Sequence, residues 1–241
     1  MPITGSSSGY ASIVVAMDGP SGSGKSSTAR GVAARLGLRY LDTGAQFRAV
    51  TVWMLEHGVD LEDPSAVAAS AARPALVSGT DPLDPTITVD GQDVAVAVRS
   101  QQVTDSVSAV ASVPEVRQRL LQLQRSIIGE GGIVVEGRDI GSVVAPDAQV
   151  KLFLTADPSA RAARRTAENG ADSVESTRAA LLRRDEIDSG RAAAPLVMPD
   201  GAIHLDTTPY SLEEVIAQVV EIVEQTAGAH SGPSPTSRPT G

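Results

Sequence analysis

The sequence predicts an α/β fold in which a five-stranded parallel sheet carries helices on both faces, and three observations support this prediction. Short apolar runs of strand length alternate with longer helical stretches along the 241 residues. The runs are continuously apolar, which is typical of parallel strands buried on both faces. A glycine-rich loop directly follows the first run, at the place where open α/β sheets bind their ligands.

The boundaries of the predicted elements follow from local signals. Gly37 and Gly58 are helix stops, and Ser211 followed by Glu214 forms a capping box that begins the last helix. The predicted strands lie over residues 13–17, 39–41, 133–136, 150–154 and 202–206. The predicted helices run from the loop to about 36, from about 45 to 57, from about 158 onward and from 211 onward.

Two stretches interrupt the alternation of strands and helices. Residues 59–112 contain a Pro-rich segment and a predicted hairpin that turns at Asp90 and Gly91. We interpret them as an insert on the sheet. Residues 166–195 are polar and arginine-rich, and we interpret them as a small helical lid over the sheet edge.

The two ends of the chain are rich in Gly, Ser, Pro and Thr and offer little apolar surface to bury, so they are expected to be disordered. The predicted organisation is a disordered start over 1–11, one domain over 12–227 and a disordered tail over 228–241. Within the domain, the predicted core covers 12–58 and 113–227, and the insert and the lid are its two additions.

Composition narrows the classes of protein that the chain can belong to. Apolar residues make up 41% of the chain and aromatic residues only 2%, so aliphatic side chains must fill the core. The net charge of −9 argues against broad binding to nucleic acid or anionic lipid. The chain has no cysteine, which excludes disulfides and thiolate chemistry. It shows no secretory signal and no membrane-length apolar run, so a cytoplasmic protein is expected.

Residues 19–26 read G-P-S-G-S-G-K-S and match the phosphate-binding pattern G-x-x-x-x-G-K-[ST] in its strand–loop–helix setting. The backbone N–H groups of such a loop wrap a di- or triphosphate. Lys25 supplies a positive charge to the β- and γ-phosphates, and Ser26 can ligate Mg²⁺. The loop therefore predicts that the chain binds a nucleotide.

Arginines are the second clue, because many of them follow predicted strands. Arg138 and Asp139 come directly after one strand, and Arg48 follows the end of another, so all three should face the crevice at the carboxyl ends. An acidic protein with arginines gathered there is expected to bind a second anion, since the guanidinium grips phosphate at two points. Three other arginines are expected to lie on solvated helix faces and pair with nearby glutamates: Arg35, Arg119 and Arg178.

Two anionic groups that face each other across a crevice imply phosphoryl transfer between them. A lid with several arginines can close over the donor and exclude water. Two alternatives remain open on these residues. One is a kinase for a different small acceptor, such as UMP or a small acid, and the other is a nucleotide-binding switch without enzyme activity.

At this point the chain resembles the bacterial cytidylate kinases, which are P-loop nucleoside monophosphate kinases. The resemblance spans about residues 12–225 and rests on four segments, of which the third and fourth are the most specific. These segments are M-D-G-P-S-G-S-G-K-S at 17–26, L-D-T-G-A-Q-F-R at 41–48, E-G-R-D-I-G at 136–141 and D-S-G-R-A-A-A-P-L at 188–196.

The resemblance implies a P-loop kinase fold and transfer of the γ-phosphoryl of ATP to CMP or dCMP with Mg²⁺, in a protein that is a monomer. It implies an ATP site at Gly19, Pro20, Ser21, Gly22, Ser23, Gly24, Lys25, Ser26 and Ser27, with Arg164 reaching the donor phosphates from the lid. The catalytic residues implied are Lys25, Arg138, Arg164 and Arg191, and the metal ligand is Ser26.

The same resemblance implies how CMP is held. Its phosphate meets Thr43, Arg48, Arg138 and Arg191, its ribose meets Arg184 and Asp188, and its cytosine meets Ser108, Arg117 and Asp139. Phe47 packs against the substrate where the family commonly has Tyr, and Thr43 replaces a common Ser. The chemistry agrees with these roles. The carboxylate of Asp139 can accept a hydrogen bond from the N4 amino group of cytosine, whereas uracil has an O4 acceptor at that place and would leave the carboxylate unpaired.

Overall fold

We describe a computed structural model of the protein over residues 10–169, 173–191 and 194–230. The predicted disorder over 1–9 and 231–241 lies outside these residues. The strands are β1 Val14–Asp18, β2 Arg39–Asp42, β3 Leu76–Ser78, β4 Ile87–Val89, β5 Gln92–Asp93, β6 Ile133–Gly137, β7 Val150–Thr155 and β8 Ile203–Asp206. The helices are α1 Lys25–Leu36, α2 Thr43–Glu56, α3 Pro64–Ser70, α4 Gln101–Ser112, α5 Pro114–Ile128, α6 Pro158–Asn169, α7 Val174–Ser189 and α8 Leu212–His230.

The main sheet has the order β2-β6-β1-β7-β8, and every neighbouring pair is parallel. Strand β1 lies at its centre and pairs with β6 on one side and β7 on the other. Val15 and Met17 pack into the core beneath α1 and α8, whereas Ala16 packs into the core on the opposite face with Ile128 of α5. This two-residue alternation buries both faces, so the predicted five-stranded sheet with helices on both faces is confirmed.

The stretch between α2 and α4 forms a second, antiparallel sheet of β3, β4 and β5. The predicted hairpin turn is confirmed, because Asp90 and Gly91 have φ of 51° and 80°. Trp53 of α2 donates a hydrogen bond of 2.7 Å from its indole N–H to Asp90. The apolar core of the insert includes residues of α2 and α5, so the insert packs together with helices that flank it in the chain.

Several element ends differ from the predicted ones for local reasons. The side chain of Asp42 accepts a hydrogen bond of 2.8 Å from the N–H of Ala45, so α2 begins at Thr43 rather than near Ala45. Tyr10 packs against the core beneath α1, although it was assigned to the disordered start. Helix α8 continues to His230, past the predicted tail boundary at 228.

The predicted lid is largely helical where it is described. Helix α6 begins at Pro158 as predicted and runs into the lid stretch, and α7 packs against it. Residues 170–172 and 192–193 of the predicted lid lie outside the described residues. None of the described helices is long and apolar enough to cross a membrane.

Candidate functional site

The carboxyl ends of β1, β2 and β6 open into a cleft of about 920 Å³ that the insert and α7 border. Most of the residues predicted to bind the two nucleotides line it. From the predicted sets these are Ser21, Gly22, Gly24, Lys25, Ser26, Ser27, Thr43, Phe47, Arg48, Ser108, Arg117, Arg138, Asp139, Arg184, Asp188 and Arg191. The cleft is the expected ligand crevice of an open parallel sheet.

One end of the cleft is the loop over residues 19–24, which we call the phosphate loop. It begins at Gly19, whose φ of 145° is unfavourable for any residue with a side chain. A Cβ at Gly19 would lie 2.0 Å from the carbonyl oxygen of Leu154, so only glycine fits between the loop and β7. Helix α1 begins at Lys25, which directs the positive end of its dipole at the loop.

Lys25 is buried beneath the phosphate loop and donates a hydrogen bond of 2.7 Å from Nζ to the carbonyl oxygen of Pro20. Burial, together with the nearby Arg138 guanidinium, lowers the pKa of Lys25 to about 7. A buried ammonium without a full counter-charge favours the arrival of an anion. The arrangement can therefore accept an anionic group at this lysine.

Ser26 follows Lys25 and contacts a buried carboxylate. Its hydroxyl is hydrogen-bonded to Glu136 of β6, which is 3% exposed and also accepts a hydrogen bond of 2.6 Å from the phenol of Tyr40. Burial raises the pKa of Glu136, and the neighbouring Asp42 raises it further. Sequence reasoning did not single out Glu136 or Tyr40, although Glu136 stands at the end of a buried strand next to the loop.

The middle of the cleft carries arginines that the resemblance assigns to the acceptor. Arg138 donates a hydrogen bond of 2.8 Å to the carbonyl oxygen of Gly19 and lies 2.9 Å from Asp188 of α7. Asp188 also pairs with Arg191. Burial, followed by the charge of Arg138, lowers the pKa of Arg184 to about 10. Positive charge is concentrated here, and buried carboxylates partly offset it.

Arg48 of α2 also lines the cleft. Its guanidinium pairs at 2.9 Å with Asp42, and both side chains are about one-quarter exposed, at 25% and 26%. Thr43 is buried and donates a hydrogen bond of 2.7 Å to the carbonyl oxygen of Glu136. Its hydroxyl is therefore already used within the protein.

The far end of the cleft joins a buried ion pair to an aromatic ring. Arg117 of α5 donates a hydrogen bond of 2.5 Å to Asp139, and these side chains are 12% and 8% exposed. The guanidinium of Arg117 lies 5.4 Å from the centre of the Phe47 ring. Burial raises the pKa of Asp139, and the charge of Arg117 opposes that rise. Ser108 of α4 lines the same end.

Four predicted site residues do not line the cleft. The carbonyls of Gly19 and Pro20 point to Arg138 and Lys25, and Ser23 is fully buried. Arg164 donates hydrogen bonds of 2.9 and 2.8 Å to the hydroxyl and carbonyl oxygens of Thr207. Its guanidinium would lie 3.8 Å from a Cβ at Gly24, so it stands beside the phosphate loop.

For two of the three arginines predicted to lie on solvated helix faces, the structure shows which groups their side chains contact. Arg35 pairs with Glu213, as predicted. The prediction for Arg119 is wrong, because it donates instead to the carbonyl oxygens of Ala72 and Pro74 and so ties α5 to the insert. Arg178 is exposed. A sequence does not show which backbone carbonyls a long side chain can reach across the fold.

A buried carboxylate, Asp18, stands at the carboxyl end of β1, directly before the phosphate loop. It accepts hydrogen bonds of 2.7 Å from the backbone N–H groups of both Ile140 and Gly141, which joins β1 to the turn after β6. Burial raises the pKa of Asp18 to about 6, against the lowering effect of these two N–H groups. Asp18 thus positions the segment that carries Arg138 and Asp139.

Comparison with known proteins gives a consistent assignment. The family model described as "Cytidylate kinase" matches residues 15–225. The chain is 59% identical to a cytidylate kinase of Streptomyces avermitilis, over 90% of this chain and 95% of that protein. It is 58% identical to one of Streptomyces griseus, over 88% and 93% of the two chains.

A likeness in structure agrees with the fold. The solved structure of an uncharacterised protein from Eubacterium ventriosum superposes with a TM-score of 0.50 on 89% of this chain and 99% of its own, at 11% identity. This likeness concerns the fold alone. The family match and the two sequence relatives show that the chain belongs to the cytidylate kinase family.

Proposed function

We propose that the protein transfers the γ-phosphoryl group of ATP to CMP or dCMP and produces ADP with CDP or dCDP. One observation on the structure supports this proposal in addition to the family match. A single cleft holds a phosphate loop at one end and the buried Arg117–Asp139 pair at the other, with arginines between them. A donor triphosphate and an acceptor monophosphate can therefore face each other across it.

In this proposal the donor site is the phosphate loop with the start of α1. Backbone N–H groups of the loop surround the β- and γ-phosphates, and the Lys25 ammonium neutralises them. Because burial lowers the pKa of Lys25 to about 7, an arriving phosphate restores the favourable setting for its charged form. Arg164, beside the loop, is proposed to reach the donor phosphates after leaving Thr207.

The acceptor site is proposed to run from Arg48 to Asp139. Arg48, Arg138 and Arg191 hold the acceptor phosphate by their planar forks, while Thr43 stands next to them. The cytosine lies near Phe47 and Ser108, with its N4 amino group donating to Asp139 and its ring acceptors facing Arg117. Arg184 and Asp188 are proposed to meet the ribose.

Catalysis in this arrangement is positioning plus neutralisation of charge, with no covalent intermediate on the protein. The arginines bring the acceptor phosphate oxygen into line with the donor phosphorus and stabilise the charge that develops on the transferred group. Helix α7, whose Arg184 and Asp188 line the cleft, is proposed to limit the entry of water.

The residues present fit a Mg²⁺ ion that arrives with ATP. Among the described residues there is no group of three or more acidic or histidine side chains that could enclose a metal. Mg²⁺ with phosphates needs no such cage, since it keeps waters and uses one or two protein ligands. Ser26 would ligate it with Glu136 behind, and the ion would neutralise phosphate charge when bound.

A coupled assay of ADP formation with a panel of acceptors tests this function. The purified protein with Mg²⁺ and ATP should consume ATP rapidly with CMP and dCMP and slowly with UMP, AMP or small acids. Equal consumption with every acceptor, or without any, would instead indicate an ATPase. Tight binding of ATP without consumption would indicate a nucleotide-binding switch.

We also propose that the enzyme acts as a cytoplasmic monomer and binds neither nucleic acid nor membranes. The net charge of −9 supports this proposal, because it disfavours polyanionic partners. Light scattering during gel filtration measures the mass in solution. A mass of twice the chain or more would contradict the monomer.

A further inference from the structure

An acidic residue of helix α7, with no part in the function proposed above, is linked to the phosphate loop through Arg161. Asp185 of α7 lies 2.5 Å from Nη1 of Arg161, which belongs to α6. Both side chains are largely buried, at 18% and 5% exposed. Asp185 stands one turn before Asp188, so the two carboxylates face the core from the same side of α7.

Arg161 carries this contact to the backbone of the phosphate loop. The same Nη1 donates a hydrogen bond of 3.0 Å to the carbonyl oxygen of Ser21. The body of the Arg161 side chain backs the loop, because a Cβ at Gly22 would lie 3.1 Å from the Cβ of Arg161. The arginine is thus wedged behind the Ser21–Gly22 peptide.

Holding one side of a peptide group fixes its other side. In a trans peptide the C=O and the following N–H point in opposite directions. A guanidinium that holds the Ser21 carbonyl therefore also directs the N–H of Gly22 away from Arg161. Ser21 and Gly22 both line the cleft, so the orientation of this N–H matters for a bound phosphate.

A second set of contacts, through Arg138, links Asp185 to the same loop. Its Oδ1 lies 3.9 Å from Nη1 of Arg138, which donates to the Gly19 carbonyl at 2.8 Å. That Oδ1 and the Nε of Arg161 are buried and have no hydrogen-bond partner among the described residues. The link from Asp185 to the loop therefore consists of one charge-assisted hydrogen bond from Arg161 Nη1 and a longer-range attraction to Arg138.

We propose that Asp185 is a positioning residue, which holds Arg161 against the Ser21 carbonyl and so makes the donor site complete only when α7 is seated on the loop. This inference rests on the proposed function, because it concerns the ATP side of the same cleft. It implies that nucleotide affinity depends on a residue of α7 that touches no substrate. A merely structural role would make Asp185 an anchor for α7, with no specific link to Arg161.

A double-mutant cycle separates these two roles. We would prepare Asp185→Asn, Arg161→Lys and the double variant, with Glu186→Gln as the control. Glu186 is the exposed neighbour of Asp185 on the same helix, so its substitution removes the same charge without the contact. The primary measurement is the dissociation constant of a non-hydrolysable ATP analogue with Mg²⁺ and no acceptor, with thermal unfolding recorded for every variant.

Each single variant should weaken binding of the analogue by about tenfold. Asp185→Asn removes the carboxylate charge, and Arg161→Lys keeps its charge but lacks the guanidinium Nη1 that contacts both Asp185 and the Ser21 carbonyl oxygen. The double variant should weaken it by about tenfold as well, because the second change finds the contact already broken. The KM for CMP should change much less than the KM for ATP. Glu186→Gln should bind the analogue like the original protein.

Additive effects, with the double variant about a hundredfold weaker, would overturn the inference, as would equal behaviour of Asp185→Asn and Glu186→Gln. If Asp185→Asn fails to fold, Asp185→Glu replaces it in the cycle, because it keeps the negative charge but lengthens the side chain. Normal binding of the analogue by both Asp185→Glu and Arg161→Lys would also overturn the inference. Failure of the proposed function would show differently, as an original protein that binds ATP but forms no ADP with CMP.

Discussion

Asp139 lines the end of the cleft that we propose holds the base, and its replacement by asparagine should abolish the discrimination between CMP and UMP. As a carboxylate it can only accept, and the N4 amino group of cytosine can donate to it. Uracil presents its O4 acceptor at the same place. The Asp139 side chain is only 8% exposed and its partner Arg117 12% exposed, so water cannot easily compensate a mismatch.

The size of the effect follows from that burial. A buried acceptor left without its partner costs roughly 1–3 kcal/mol. At about 1.4 kcal/mol per factor of ten, this corresponds to a preference for CMP of roughly five- to 150-fold in kcat/KM. An asparagine amide can turn either its oxygen toward N4 or its nitrogen toward O4. Asp139→Asn should therefore bring the ratio close to one.

The assay is ADP formation with CMP and with UMP on the same enzyme preparation, reported as the ratio of the two kcat/KM values. The ratio cancels any loss of folded protein that results from breaking the pair with Arg117. Asp42→Asn is the matched control, because Asp42 also pairs with an arginine of the cleft, Arg48, at 2.9 Å. It should lower the rate with both acceptors and leave the ratio unchanged.

An unchanged ratio in Asp139→Asn, with kcat/KM reduced equally for both acceptors, would refute the reasoning. In that event Asp139 would serve to hold Arg117, and the cleft would have to recognise cytosine by other groups. An equal change of the CMP-to-UMP ratio in Asp42→Asn would also refute the reasoning, since the loss of any negative charge in the cleft would then be enough to change the ratio.

Three further predictions concern the loop and the titration of the base site. Lys25→Ala should lower kcat at least about 10³-fold in the ADP assay, because it removes the buried charge beside the donor phosphates. Gly19→Ala should destabilise the protein by on the order of 3 kcal/mol or more in urea unfolding, because its Cβ would lie 2.0 Å from a backbone carbonyl oxygen. Gly58→Ala, at φ 65° with open space around it, should cost only about 1 kcal/mol. Lowering the pH should narrow the CMP preference, because burial raises the pKa of Asp139 and its protonated form can donate to uracil O4.

Each of these predictions has a result that contradicts it. Near-normal turnover of Lys25→Ala would show that Lys25 does not act on the donor phosphates. Equal destabilisation by Gly19→Ala and Gly58→Ala would mean that positive φ, rather than close approach to β7, determines the cost. A pH-dependent ratio that persists in Asp139→Asn would assign the titration to another group.

The main sheet could be predicted from sequence because its signals are local. A buried parallel strand is a short apolar run, and the five predicted runs all form strands within one or two residues of their predicted ends. The phosphate-binding pattern is equally local, since eight consecutive residues, 19–26, carry its glycines, lysine and serine. The capping box at Ser211 is confirmed by hydrogen bonds between Ser211 and Glu214 in both directions.

The partners of the charged side chains could not be predicted in this way. Asp185 looks like one acid among several on a polar helix, and only the packing of α7 on α6 places it beside Arg161. Arg164 is predicted to contact the donor phosphates, yet in the structure its guanidinium N–H groups donate hydrogen bonds to Thr207. Long side chains choose partners among all groups within reach, and the fold alone decides which groups those are.

By itself, the sequence determined the phosphate loop, the parallel sheet and the gathering of arginines at one edge, because each depends on neighbours in the chain. Only the tertiary structure decided that Arg117 of α5 meets Asp139 after β6, and that Asp185 of α7 pairs with Arg161 of α6. These contacts join residues more than 20 positions apart in buried surroundings. There the cost of an unpaired charge, rather than local propensity, determines which side chains come together.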